Sequence, residues 1–244
     1  MLLLNDKITL IVSGLKSGEI YVWDGEMQQW TKPYPLIPMA YQGPGCASYQ
    51  HYLIVAEREP PTGSEITRVQ ILDTSSGQWY KATPMHHNGP MPYNVQSVII
   101  GKTLYLSYSK SILSVSLPTL ISRAIQENYY DMSIWKKLPN VPFYDTTLFS
   151  IGNMLLTAGG SGGLVSVLLD VMHLKSIKPS ADIYLLNPHN NQWVKVGELP
   201  AARWGCACTV LPSGKLLVAG GSYGHRGGQY LSTVYIATIS RPYF

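Results

Sequence analysis

Few side chains in this sequence could do covalent or metal chemistry. Cys206 and Cys208 are two residues apart, so on a strand their thiols would lie on the same side. A zinc site would need two further ligands nearby, and the only other cysteine is Cys46. An odd number of cysteines also argues against a disulfide framework. We therefore interpret the cysteines as small residues that line an inner strand.

Two other residue pairs could bind a metal or transfer protons. His86 and His87 are adjacent, so on a strand they would point in opposite directions, and no acidic residue or cysteine lies near them. Glu127 and Asp131 could form a general acid/base pair, but we expect them to lie in a solvated loop. The sequence therefore predicts no catalytic residue, no metal and no cofactor.

Composition limits the classes of partner. The chain has 244 residues, 45% of them apolar, and its net charge of +4 comes from scattered basic residues. A nucleic-acid-binding protein usually concentrates basic residues on one face, so we expect no nucleic-acid partner. The chain lacks both a signal-peptide pattern and an apolar run of about 18 residues, so we expect no membrane partner and predict a cytoplasmic location.

Residues 182–221 show which elements carry these side chains. Four short β-type runs are joined there by turn residues, including the tight Pro212-Ser213-Gly214 hairpin. The pattern recurs along the chain: a hydrophobic hairpin, a strand ending in Asp or Asn, a turn and a tryptophan. The repeat tryptophans are spaced by roughly 50 residues, which is typical of kelch-type propeller blades, and they are Trp30, Trp79, Trp135 and Trp193.

The whole chain resembles the kelch-repeat family. The Gly159-Gly160 and Gly220-Gly221 doublets match the family pattern, whereas Ser13-Gly14, Glu57-Arg58 and Tyr108-Ser109 replace it elsewhere. The resemblance implies an all-β, kelch-type β-propeller. Counting strands gives five blades of mostly four antiparallel strands, and the last blade has three because no tryptophan strand follows residues 233–238. We expect a single domain spanning 1–244, with blades at about 1–35, 46–84, 95–139, 146–200 and 206–240.

Within each blade we label the strands a to d in chain order. Small residues on strand a and tryptophans on strand d place a innermost and d outermost, because the gap between blades widens outward. The tryptophans are then expected to fill the space between blades. Two insertions interrupt the repeat: 118–132 in blade three and the apolar 161–180 in blade four. We found no helical period long enough to indicate a helical layer.

Antiparallel blades place the b–c and d–a connections on one face. Arg and Tyr are enriched at binding sites, and loops on a rigid scaffold often carry them. We predict a protein- or peptide-binding face there, formed by Tyr41, Arg58, His87, Tyr144, Arg203, Tyr223, His225 and Arg226. Arg203 also has a structural alternative, since kelch-type repeats often place an arginine before strand a that binds loop carbonyls.

The predicted function is a non-catalytic binding propeller, expected to be a monomer. By analogy with the kelch family it would be the recognition module of a larger adaptor. The alternative is a kelch-type enzyme that modifies a small molecule or sugar in the central pocket. The ring is expected to close with blade five next to blade one, leaving an open edge at 233–238. The alternative is that this chain is part of a longer propeller.

Overall fold

A computed structural model describes residues 2–13, 17–38, 43–58, 66–86, 95–127, 131–162, 179–187, 190–211, 213–223 and 229–238. The chain forms two compact units. The first comprises Met1–Tyr108 and Leu113–Lys137, and the second comprises Ser109–Ile112 and Leu138–Phe244. In the described residues almost all regular structure is β, as alternating apolar residues and short turns predict.

Blades one and two lie in the first unit and have four strands each. Blade one consists of β1 (Leu2–Leu4), β2 (Lys7–Ser13), β3 (Gly18–Asp24) and β4 (Gln29–Thr31). Blade two consists of β5 (Gly45–Tyr49), β6 (Tyr52–Arg58), β7 (Ile66–Asp73) and β8 (Gln78–His86). In both sheets the spatial order follows the chain order, so strands a, b, c and d are neighbours as predicted.

Blade three contains an element that the sequence analysis missed. Its strands are β9 (Val95–Ile100), β10 (Thr103–Tyr108), β11 (Ser111–Ser116) and β12 (Lys136–Leu138). The insertion before β12 forms helix α1 (Leu117–Ile125) and a 3₁₀ turn (Met132–Ile134), so the interruption extends beyond the predicted 118–132 and strand d begins at Lys136.

Helix α1 had a signal in the sequence. Leu117, Leu120, Ile121 and Ala124 follow helical spacing and are the buried residues of α1, and Pro118 lies in the first turn, where its missing N–H costs nothing. The side chain of Asp131 accepts the Ser133 amide at the start of the 3₁₀ turn. The helix was missed because nine residues are too few for the pattern to stand out.

Blades four and five lie in the second unit. Blade four consists of β13 (Thr147–Ile151), β14 (Met154–Ala158), β15 (Asp182–Asn187) and β16 (Gln192–Glu198). Blade five consists of β17 (Ala207–Val210), β18 (Lys215–Ala219) and β21 (Val234–Thr238), with a separate hairpin of β19 (Ser222–Tyr223) and β20 (Gln229–Tyr230). Together the five sheets are the blades of an all-β propeller, and the predicted three-stranded last blade is confirmed.

Hydroxyl groups on the a strands connect neighbouring blades within each unit. In the first unit, Ser48 Oγ donates to the Leu3 carbonyl at 2.5 Å, and Ser97 Oγ donates to the Cys46 carbonyl at 2.8 Å. In the second unit, Thr147 Oγ1 donates to the Cys206 carbonyl at 2.5 Å. Neighbouring a strands therefore need small polar side chains, since a bulky residue there would separate the blades.

The four repeat tryptophans differ in burial, which corrects the expectation that all fill the core. Trp135 is only 9% exposed and its indole Nε1 donates to the Thr83 carbonyl at 3.3 Å. Trp193 is half-buried and donates to the Pro139 carbonyl at 3.0 Å. Trp79 is half-buried, whereas Trp30 is 42% exposed and packs edge-on against Trp23.

In the described part of blade five no fourth strand pairs with β21, and Val234 and Ile236 of β21 are exposed. In blade four Leu185 of β15, a strand that pairs with β16 on its outer side, is buried. The apolar insertion of blade four lies largely outside the described residues, although its ends pair through an isolated bridge between Ser161 and Pro179. No helix in the described part of the chain is long and apolar enough to cross a membrane.

Candidate functional site

The structure describes part of the predicted binding face. Arg58 ends strand β6, but its side chain is outside the described residues. Four other predicted residues lie outside them entirely: Tyr41, His87, His225 and Arg226. Tyr144, Arg203 and Tyr223 are described, and all three lie in the second unit.

Arg203 is a buried residue and not a solvated loop residue. Its side chain is fully enclosed, and its Nη1 donates to the Gly220 carbonyl at 2.7 Å. Nε donates to the Ala201 carbonyl at 3.2 Å, and Nη2 donates to Thr233 Oγ1 at 3.2 Å. This placement favours the structural alternative for Arg203 and removes its side chain from the exposed binding face. Of its two carbonyl partners, Ala201 lies on the same connection and Gly220 follows β18 of blade five, the blade that this connection enters.

Comparison with blade four shows what Arg203 does. Tyr144 pairs with Ser161 in blade four as Trp204 pairs with Ser222 in blade five, so Phe143 and Arg203 hold equivalent positions. Phe143 packs near Tyr184, with ring centroids 6.1 Å apart, and the Arg203 guanidinium lies 4.7 Å from the Tyr235 ring centroid. The arginine therefore replaces an aromatic contact and adds three hydrogen bonds that close the blade-five connection.

We expect Arg203→Met to lower the free energy of unfolding by about 2–3 kcal/mol, because the Gly220 carbonyl loses a hydrogen bond from a charged donor. Arg203→Lys should recover little, since one ammonium group cannot reach all three acceptors. Urea unfolding followed by circular dichroism measures both changes. The exposed Lys215→Met is the control, and equal midpoints for Arg203→Met and this control would contradict the structural role.

Tyr144 lies where blade four begins. Its backbone pairs in both directions with Ser161, at 3.1 and 2.7 Å, which fixes the start of strand a. The Lys110 ammonium lies 4.8 Å from the centroid of its half-buried ring. The cation–π contact holds the two side chains together, so Lys110 and Tyr144 form a polar surface of fixed geometry. Tyr144 is thus partly accessible and well positioned, as a binding residue requires.

Tyr223 belongs to the β19–β20 hairpin, which the sequence analysis did not predict. Ser222 pairs with Tyr230 and Tyr223 pairs with Gln229, so the hairpin extends the b–c connection of blade five. Ser222 is buried and hydrogen-bonded to the Trp204 backbone at 2.9 and 3.1 Å, which anchors the hairpin. Tyr223 is 55% exposed and Tyr230 is 86% exposed. Tyr230 is the strongest candidate that the sequence analysis overlooked.

Two serines fit the pattern of a nucleophile elbow in the sequence, but their geometry does not. Gly-x-Ser-x-Gly occurs at 159–163 and at 220–224. An elbow serine would present an exposed hydroxyl, whereas Ser161 and Ser222 are buried and lie in β-bridges. The Ser161 hydroxyl lies 3.5 Å from the Tyr144 carbonyl and from an Asp145 carboxylate oxygen. Burial raises the pKa of Asp145, and this hydrogen bond only partly offsets the rise.

Cys206 and Cys208 face the same side, with their sulfur atoms 3.8 Å apart. A hydrogen bond from the Cys208 thiol lowers the pKa of Cys206 to about 7, with smaller contributions from Thr147 and from the charge of Arg203, whereas burial opposes the change. The same hydrogen bond and burial raise the pKa of Cys208. Within the described residues no group of three or more His, Cys, Asp or Glu side chains could hold a metal ion.

The first unit has a small cavity at the start of its a strands. Its volume is about 230 Å³, and its lining includes Cys46, Gln96 and Ser97. Burial raises the pKa of Cys46 to about 12, so this thiol is protonated at neutral pH. A protonated thiol is a poor nucleophile and a poor metal ligand. The described lining therefore offers hydrogen bonds but no activated nucleophile.

No protein-family model matches the chain. Among solved structures, the fold is similar to that of the protein YjhT ("Structure of YjhT"), with a TM-score of 0.63. The match covers 95% of this chain and 77% of that chain. The two sequences are 16% identical over this match. At that identity the similarity concerns the fold, and function has to be argued from the site.

Proposed function

We propose that this chain is a non-catalytic, kelch-type propeller that binds another protein or a peptide through the b–c and d–a connections of blades four and five. The observation that carries the proposal is the anchored β19–β20 hairpin with its exposed Tyr223 and Tyr230. Large, rigid aromatic side chains give contact area at a small cost in side-chain entropy, which is why tyrosine is enriched in interfaces.

Tyr144 supports the same function. It lies on a d–a connection in the same unit, and Lys110 adds a positive charge beside its ring. Charge beside an aromatic residue is typical of binding hot spots, which combine packing with electrostatic complementarity. The predicted roles of Tyr41, Arg58, His87, His225 and Arg226, the cytoplasmic location and the adaptor role stay predictions.

We expect the double variant Tyr223→Ser, Tyr230→Ser to weaken partner binding about 30-fold. This corresponds to a combined loss of about 2 kcal/mol, the size of a hot-spot contribution. The partner is first captured from cell extract on the immobilised chain and identified by mass spectrometry. Its affinity is then measured by biolayer interferometry at fixed ionic strength.

The matched control is Met27→Ser. Met27 is another exposed apolar residue, but it lies in the c–d turn of blade one and not on a b–c or d–a connection. Both variants should keep the circular dichroism spectrum and the unfolding midpoint of the parent. The proposed site is rejected if the double variant binds as tightly as Met27→Ser does.

A further inference from the structure

A second candidate site lies in the first unit, beside the helix that interrupts blade three. We name it the helix groove. Its volume is about 460 Å³, within the range of small-molecule sites. One wall is formed by Ile121, Ile125 and Gln126 of α1 and its C-terminal end, and the other by Tyr49, Tyr52 and Lys102 of the a–b turns in blades two and three.

The groove is built on a fixed frame. The Leu117 amide donates to the Lys102 carbonyl at 2.9 Å, which fastens the start of α1 to the blade-three turn. The apolar face of α1, from Leu117 to Ala124, is buried in the core of the first unit. Tyr49 and Tyr52 pack against the same core cluster. Both walls are therefore held by buried contacts, so the groove exists before any ligand binds.

The two walls differ in chemistry. The exposed Ile125 gives most of the apolar surface, because Ile121 beside it is only 7% exposed. Lys102 brings a positive charge, and the lining residues that the structure describes include no carboxylate. The neighbouring Arg123 is already paired with Asp131 at 2.6 Å, so that charge is compensated. The groove thus carries one positive charge opposite an apolar wall.

The hydrogen-bond donors in the groove suit a ligand group that accepts hydrogen bonds. No hydrogen bond or ion pair is found within the described residues for the side chains of Lys102, Gln50 and Gln126, all of which line it. The Tyr52 phenol is neutral at neutral pH and able to donate, and burial and the charge of Asp73 raise its pKa further. A carboxylate accepts several such bonds, and charge-assisted bonds are the stronger kind.

We propose that the helix groove binds a small organic acid that has an apolar body and a single carboxylate. The carboxylate of the ligand lies at Lys102, near the side-chain amides of Gln50 and Gln126. Its apolar body lies along Ile121 and Ile125. This site belongs to the a–b turns, on different loops from the proposed protein-binding residues, so it goes beyond the proposed function and does not depend on it.

The probes for the test are 3-phenylpropionate and 3-phenylpropionamide, which share the apolar body and differ in charge. Binding is followed by chemical-shift changes of the isotope-labelled chain and by isothermal titration calorimetry. We expect the acid to bind about fivefold more tightly than the amide, the preference that one partly exposed ion pair provides. That preference should decrease as salt is added.

Two variants locate the site. Lys102→Met should remove the preference for the acid, and Ile125→Asn should weaken both probes to a similar extent. Lys136→Met, which removes an exposed lysine of β12, is the matched control and should leave both affinities unchanged. The proposal is overturned by equal binding of acid and amide to the parent chain, by an acid preference that survives Lys102→Met, or by no binding of the acid up to about 10 mM.

Discussion

Replacing Trp135 with alanine is expected to lower the free energy of unfolding by about 3–5 kcal/mol. Trp135 belongs to the core cluster of the first unit, where it packs among residues from blade two and helix α1. The substitution leaves a cavity among those residues and removes the hydrogen bond to the Thr83 carbonyl, which would then be buried without its partner. Urea unfolding monitored by circular dichroism measures the change.

The repeat supplies a matched control for this expectation. Trp30 holds the equivalent position in blade one, but it is 42% exposed and packs edge-on against Trp23. Trp30→Ala should therefore cost less than about 1.5 kcal/mol, since much of its apolar surface is already in water. Trp193→Ala, half-buried with one hydrogen bond, should lie between them. Equal losses for Trp135 and Trp30 would contradict the burial difference.

Gly159→Ala is expected to cost about 2–5 kcal/mol, from the left-handed backbone and the added crowding together. Gly159 has φ +65°, and a Cβ there would lie 2.4 Å from the Arg203 carbonyl oxygen. The same oxygen accepts the Gly160 amide at 2.9 Å, so the backbone cannot move away without losing that bond. A midpoint shift in urea unfolding measures the cost.

Gly152→Ala separates the two causes. Gly152 has φ +55°, close to that of Gly159, but nothing lies within 4 Å of the position of its Cβ. This variant should therefore show only the conformational cost of about 1–2 kcal/mol. If both alanine variants lose the same stability, close approach of the Arg203 carbonyl is not the reason that this position is glycine.

The sequence alone predicted most of the blade strands because their signals are local. Val95–Ile100, Met154–Ala158 and Lys215–Ala219 are strands that lie within the predicted blades, since alternating apolar residues and glycine-containing turns act over a few positions. The three-stranded last blade followed from the missing fifth tryptophan strand. The spacing of the repeat tryptophans predicted the order of the blades along the chain, because each blade is one continuous segment of sequence.

The tertiary structure alone decided the environment of single side chains. Arginine is a residue type that is enriched at binding sites, which is why Arg203 was predicted to bind a partner. Its hydrogen-bond partners Gly220 and Thr233 lie 17 and 30 residues further along the chain, so its burial could not be derived from neighbours in sequence. Four equivalent tryptophans likewise differ in exposure because burial depends on which residues pack over each one. Tyr230 was overlooked because a two-residue strand carries too little pattern to show that it presents an exposed ring.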